Sequence, residues 1–289
     1  MKKILGIFIL LFTLCLNFSF ADNSQNFLEV NKYENKVVKT TNYTFDFKTN
    51  LFKVYDKSGK KLLLTVYKGD FDYPYKFFVS DKYVYYVRSK EVGSSIVQIN
   101  LETKKSKIIK NYKTLISITG VRGSEIYHIS FYDEFNPKLQ VLNLNTFKDK
   151  FIAEGVGDIQ FGKSKIVYRN YRTDVSAKPL YIIGYDYKNP KLISKAVMDF
   201  TVVDGKIYFA ETKLIKSPVD GEYYGDINNS TVYVCNEDGS NKKALTGNIN
   251  GQIIKITPNE IEFMSENLSK YYKMNLKTKK TVEFKPSNK

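Results

Sequence analysis

The side chains best suited to chemistry in this chain are few. Lys and Arg together number 45, yet only Arg88, Arg122, Arg169 and Arg172 are arginines. Three of these, Arg88, Arg169 and Arg172, fall in or at the start of segments that read as loops between strands. A planar guanidinium there can hold a carboxylate or phosphate by two-point contact, which lysine cannot do. Asp133, Glu134 and Asp174 are the nearby acids that could neutralise it from within. A second cluster lies in segment 211–230, which carries Glu211, Tyr223, Tyr224 and Asp226. Aromatic rings are costly in a loop unless they pack or bind. The alternative is a small hairpin turning at Pro218-Val-Asp-Gly221. His128, the only histidine, is the obvious general base, and Cys235 is a possible nucleophile.

The elements that must position these residues recur with a period. Short apolar patches appear as Tyr43-Thr-Phe-Asp-Phe47, Val84-Tyr-Tyr-Val87, Ile126-Tyr-His-Ile129, Ile166-Val-Tyr-Arg169, Ile207-Tyr-Phe-Ala210 and Ile261-Glu-Phe-Met264. Equivalent positions Phe45, Tyr85, Tyr127, Val167, Tyr208 and Glu262 are spaced by 40, 42, 40, 41 and 54. A second strand, a polar turn and a third strand follow each patch, and a further short strand precedes most of them. No segment carries a helical stripe of several turns. Units of four short strands at this period predict an all-β, six-bladed β-propeller of antiparallel blades. The blades fall at about 35–67, 72–110, 111–153, 155–194, 195–246 and 247–285, so the propeller spans 35–289. Residues 22–34 form an N-terminal extension, in which 27–33 could instead add a strand to the last blade.

The repeats also judge the tempting residues. His128 aligns with Tyr86, Tyr168, Phe209 and Phe263, so its slot takes a flat packed ring. Cys235 aligns with Tyr55, Ile99, Leu142 and Met274, a buried apolar position where a thiol is inert. Gly155-Val-Gly157 with Gly162 has the wrong spacing for a nucleotide loop. With one His and two Cys there is no zinc or multi-histidine motif, and no cofactor or metal is expected. No catalytic residue is assigned by motif.

One unit carries a resemblance. Asp204-Gly-Lys-Ile-Tyr-Phe209 followed by Val232-Tyr-Val-Cys-Asn-Glu-Asp-Gly-Ser-Asn-Lys-Lys-Ala-Leu-Thr246 resembles a blade of the TolB-like and YWTD-like six-bladed propellers of bacterial extracytoplasmic proteins. The YWTD tetrad itself is absent, and the chain has no Trp. The resemblance implies a fold and a habit of binding proteins or peptides, and no catalytic residue.

The N-terminus gives an address. Lys2 and Lys3 precede an uncharged apolar run from Ile4 to Leu16, and Ser19-Phe20-Ala21 supplies a small-x-small cleavage site. Residues 1–21 therefore read as a signal peptide for a secreted or periplasmic protein. The run is too short to leave a stable membrane anchor. Leu14 before Cys15 argues against a lipoprotein. Cleavage removes two lysines and no acid, which leaves a net charge of +13. Such a surface attracts polyanions, but export argues against nucleic acid as the partner.

In a propeller the loops between second and third strands share one face, and function gathers there. The expected function is a non-enzymatic binding propeller recognising an envelope protein, a peptide or an anionic polymer through Arg88, Arg169, Arg172 and the 211–230 segment. The alternatives are a lyase or hydrolase acting on an acidic glycan, or a scaffold subunit of an envelope assembly. In the enzyme an arginine would neutralise the substrate carboxylate and a tyrosine such as Tyr224 would move the proton.

Overall fold

The computed structural model describes residues 27–31, 37–47, 51–67, 76–89, 92–131, 136–171, 177–219, 221, 223–265, 267 and 269–285. The expected signal peptide at 1–21 and Arg172, with the acids Asp133, Glu134 and Asp174, lie outside them. Among the described residues every regular element is a β-strand, and all strand pairing is antiparallel. The chain divides into two compact units, one of residues 1–132 with 138–153, the other of 133–137 with 154–289.

The first unit opens with β1 (Leu28–Asn31) and holds three sheets. These are β2 (Val37–Lys39), β3 (Tyr43–Asp46), β4 (Leu51–Asp56) and β5 (Leu62–Tyr67); then β6 (Lys76–Val79), β7 (Tyr83–Ser89), β8 (Ser94–Asn100) and β9 (Lys105–Tyr112); then β10 (Leu115–Arg122), β11 (Glu125–Phe131), β12 (Lys138–Asn143) and β13 (Asp149–Glu154). Strand β1 pairs with β6, Leu28 opposite Val79, and not with the last repeat. The second unit begins with β14 (Val156–Phe161), β15 (Lys165–Asn170), β16 (Lys178–Gly184), β17 (Lys191–Val203), β18 (Lys206–Lys216), β19 (Tyr223–Asn236) and β20 (Lys243–Ala244), all in one seven-stranded sheet. It ends with the four-stranded sheet of β21 (Gly251–Ile256), β22 (Glu260–Ser265), β23 (Tyr271–Asn275) and β24 (Thr281–Phe284).

The aromatic patches are the second strands of these sheets, and burial explains their composition. Strands β7, β11 and β15 are buried at nearly every central residue, on both faces. A strand covered on both faces reads as a continuous apolar run and not as an alternation. The fourth strand β9 is mostly exposed, and its sequence is lysine-rich. In the first unit Phe47 stacks on Phe52 at 4.7 Å, and Phe52 packs on Phe77 at 5.2 Å. The second unit buries Val167, Leu180, Val197, Phe200, Ile207, Phe209 and Cys235 together.

A three-fold repeated turn fixes the register of third and fourth strands. Asn100-Leu-Glu-Thr-Lys104, Asn143-Leu-Asn-Thr-Phe147 and Asn275-Leu-Lys-Thr-Lys279 each end in a residue with positive φ. The leading Asn side-chain oxygen accepts from the amides of Thr103, of Asn145 and Thr146, and of Lys277 and Thr278 respectively. These Asx turns hold the chain in a shape it would otherwise lose to water. The following leucine donates its amide to the turn joining the first two strands, as in Leu144 to the Ser124 carbonyl at 2.8 Å and Leu276 to that of Asn259 at 2.8 Å.

One expectation is corrected here and one open alternative is decided. The segment 191–194 and the strand expected from Phe200 form one 13-residue strand, β17, which carries the fourth and fifth repeats in a single sheet. Of the two readings of segment 211–230, the structure shows the hairpin turning at Pro218-Val-Asp-Gly221. Strands β18 and β19 continue through the segment as a hairpin arm, with Ile215 opposite Tyr224 and Lys216 opposite Tyr223. The Gly221 amide closes the turn on the Ser217 carbonyl at 3.1 Å.

Candidate functional site

Four first strands carry a β-bulge, at Ile118/Gly120, Val156/Asp158, Val197/Asp199 and Ile253/Lys255. A bulge inserts an unpaired residue and re-aims the side chains around it. In the second unit two of these bulges deliver carboxylates, Asp158 and Asp199, to Arg169 on β15. Arg169 lies within a strand, opposite Asp158, and not in a loop. Its Nε donates to Asp158 Oδ2 at 2.9 Å and its Nη2 pairs the same oxygen. Its Nη1 donates to the carbonyls of Val197, at 3.3 Å, and Met198. The guanidinium is thus anchored to the backbone of the second bulge, with 15% of its side chain exposed against 56% for Asp158.

Asp199 stands half-buried beside this pair. Burial pushes its carboxyl above the ordinary carboxylate range. The Phe200 amide, the Arg169 charge and the Ile256 amide oppose that rise, and the Asp158 charge adds to it. A carboxyl with a raised pKa next to a fixed cation is an acid–base group poised to trade a proton nearer neutrality. Sequence reasoning missed both acids. Their one signal was a position in short first strands flanked by apolar residues, such as Met198 and Phe200 around Asp199.

The other expected residues go elsewhere. Arg88 sits inside β7, opposite Ser95. Its Nε is buried without a hydrogen-bond partner. Glu211 pairs Lys242 at 2.6 Å. Asp226 accepts from the Asn228 amide at 3.1 Å, and its carbonyl accepts from the Thr212 hydroxyl. Tyr223 is 53% exposed on the arm, whereas its neighbour Tyr224 is half-buried. These four belong to the hairpin, while Arg169 binds Asp158 and the bulge.

His128 is fully buried in the first unit, its ring against Tyr112 at 4.9 Å. Unlike a simple packed ring, it carries polar partners. Nε2 lies 3.3 Å from both Asp149 Oδ1 and the Tyr112 hydroxyl, and Lys110 Nζ pairs Asp149 Oδ2 at 2.9 Å. Burial alone would raise the Asp149 pKa, but hydrogen bonds from His128, Lys110 and Tyr112 and the His128 charge outweigh it and hold the group below its ordinary value. This knot ties β9 to β11 and β13. Cys235 is buried, and burial pushes its thiol up to about 11. It is expected to resist a disulfide-exchange reagent at neutral pH in the folded protein and to react fully in denaturant. Prompt labelling of the native chain would contradict that placement.

No protein-family model matches the chain, and no curated protein matches its sequence. Solved structures do. An oligogalacturonate lyase from Vibrio parahaemolyticus is similar at 12% identity, with 91% of this chain and 83% of that one covered and a TM-score of 0.55. A eukaryotic initiation factor is similar at 10% identity, with 87% and 65% covered and a TM-score of 0.56. TolB from Acinetobacter baumannii matches at 11% identity and a TM-score of 0.38, over 89% of this chain and 79% of that one. The likeness is one of fold. The chain has an all-β fold of repeated antiparallel sheets, of the β-propeller kind. The expectation of a purely binding, non-enzymatic propeller is corrected on these findings. A solved chain of this fold, similar over nine-tenths of the present sequence, is an oligogalacturonate lyase.

Proposed function

We propose that the protein is an extracytoplasmic six-bladed propeller enzyme, exported by residues 1–21, that cleaves an acidic glycan by β-elimination. The observation that carries this reading is the placing of the Asp199 carboxyl by the β17 bulge beside Arg169, whose Nη1 is anchored on the Val197 and Met198 carbonyls. Elimination on a uronide needs a base next to a carboxylate-binding cation. Asp199 takes the proton from the carbon beside the sugar carboxylate. Its electron pair becomes a carbon–carbon double bond, and the glycosidic oxygen leaves and takes a proton from water. Arg169, held by Asp158, faces the charge that grows on the sugar carboxylate. Asp199 replaces Tyr224 as the group that moves the proton.

Hydrolysis needs two working carboxyls, one as acid and one as base or nucleophile. Asp158 is committed to Arg169, which leaves Asp199 alone and favours elimination. The oligogalacturonate lyase supports a polygalacturonate-type substrate by likeness of fold. Arg169→Lys keeps the charge but loses the two-point grip. It is expected to lower kcat/KM on an oligogalacturonate by about a hundredfold, and to lower the melting temperature as well, because the Val197 and Met198 carbonyls lose their donor. An unchanged kcat/KM would remove Arg169 from the site.

A further inference from the structure

A cleft of about 760 Å³ opens at the end of the last sheet, lined by Asn250, Ser265, Asn267, Lys270 and Tyr272. Its size is that of small-ligand sites, which run to ~300–1,000 Å³, yet its lining is polar where such sites are usually apolar. The turn that shapes it is fixed from within. Asn267 Oδ1 accepts from the Ser265 hydroxyl at 2.7 Å, the Ser269 hydroxyl at 2.6 Å and the Ser269 amide at 3.2 Å. Ser265 Oγ accepts in turn from the Lys270 amide at 3.1 Å. With its oxygen so occupied, Asn267 keeps its amide nitrogen for something else, and that nitrogen has no hydrogen-bond partner among the described residues. Gly251 brings β21 close to β22, since a Cβ there would collide with the Met264 carbonyl. That approach sets Asn250 at the rim.

We propose that this cleft is a binding subsite for one acidic sugar residue of a glycan chain. Amide and hydroxyl groups match sugar hydroxyls, the Tyr272 ring offers a flat apolar edge, and Lys270 supplies one cation for one carboxylate. Lys270 now pairs Glu283 at 3.1 Å, with both side chains more than half exposed. An exposed pair of that kind is weak, so a ligand carboxylate can take the ammonium over. A single cation so placed suits a carboxylate better than a phosphate dianion. The proposal rests on the uronide reading above and extends it to a site of its own.

The test is calorimetric titration of the full chain carrying Asp199→Asn, so that turnover is slowed at least about a hundredfold, with a galacturonate oligomer and a neutral galactose oligomer. Lys270→Met is expected to weaken the acidic oligomer by at least about tenfold and to leave the neutral one unchanged. Asn267→Asp keeps the oxygen that orders the turn and puts negative charge where the amide stood. It is expected to weaken the acidic oligomer similarly at an unchanged melting temperature. Acidic binding indifferent to Lys270→Met, or equal binding of both oligomers, would overturn the subsite. Lys270 is exposed, so its variant reports even if Asn267→Asp fails to fold. Uronide binding with no turnover by the unaltered chain would remove the elimination reading and keep the subsite. Turnover with binding blind to both variants would do the reverse.

Discussion

Under the proposed elimination, Asp199→Asn is expected to lower kcat at least about a hundredfold while leaving the protein as stable as before, or more so. The two effects share a cause. Burial disfavours the charged carboxylate, so the folded chain holds the Asp199 proton to a higher pH than the unfolded chain does. Between the ordinary carboxylate pKa and the raised one, the unfolded state has already lost its proton. Stability therefore falls as pH rises through that window. The amide cannot ionise, so the variant loses this decline and gains relative to the parent above the window. Activity runs the other way, because a base must be deprotonated. The kcat profile is expected to rise with pH along a limb set above the usual carboxylate range, and the variant's residual activity to lack that limb. Equal activity of variant and parent across this pH range would take Asp199 out of the mechanism.

Glu237→Ala is expected to destabilise the second unit by breaking a clasp between two of its turns. Glu237 reaches from the turn between β19 and β20 to the turn between β14 and β15. It accepts the amides of Lys163 and Ser164, each at 2.7 Å, and the Ser164 hydroxyl at 2.8 Å. Gly162 is part of the same arrangement, since a Cβ there would collide with the Glu237 carboxylate. Truncation removes three charge-assisted hydrogen bonds but leaves their donors on the exposed Lys163 and Ser164, which water can satisfy, so the cost is about 1–2 kcal/mol, or roughly 2–6 °C in Tm. Glu237→Gln retains one acceptor and is expected to lose about half of that. Burial raises the Glu237 pKa, but hydrogen bonds from Ser164, Lys163 and Lys165 outweigh it and hold the group below its ordinary value. Its contribution is therefore full above the ordinary glutamate pKa and is lost as pH falls toward the folded value. A melting temperature within a degree or two of the parent would show that the clasp contributes little.

The period near 40 was legible because strands such as β7 and β11 are buried on both faces and print their burial directly into the sequence. The repeated Asn-Leu-x-Thr turns mark where third strands end. What was hidden is set by pairing. Nothing between Ser194 and Phe200 resembles a turn, because no glycine, proline or asparagine interrupts it, and β17 runs straight through. The aromatic residues of 211–230 allowed either a binding loop or a hairpin, and cross-strand pairing decides for the hairpin, with Tyr223 and Tyr224 on opposite faces of it. The partners of Arg169 lie 11 and 29 residues away, brought there by cross-strand register and by bulges. A bulge shifts one strand by a residue without a distinctive sequence, so Asp158 and Asp199 looked like ordinary outward positions.

The central claim is elimination on an acidic glycan, and isotope labelling of the products tests it most directly. An oligogalacturonate would be digested with the protein in heavy-oxygen water and the fragments weighed. Elimination predicts one fragment with an unsaturated end and no heavy oxygen in any new terminus, with neither product formed by Asp199→Asn. Heavy oxygen in the new reducing ends would mean hydrolysis, and intact substrate at every pH tried would mean that the raised carboxyl beside Arg169 serves no uronide chemistry.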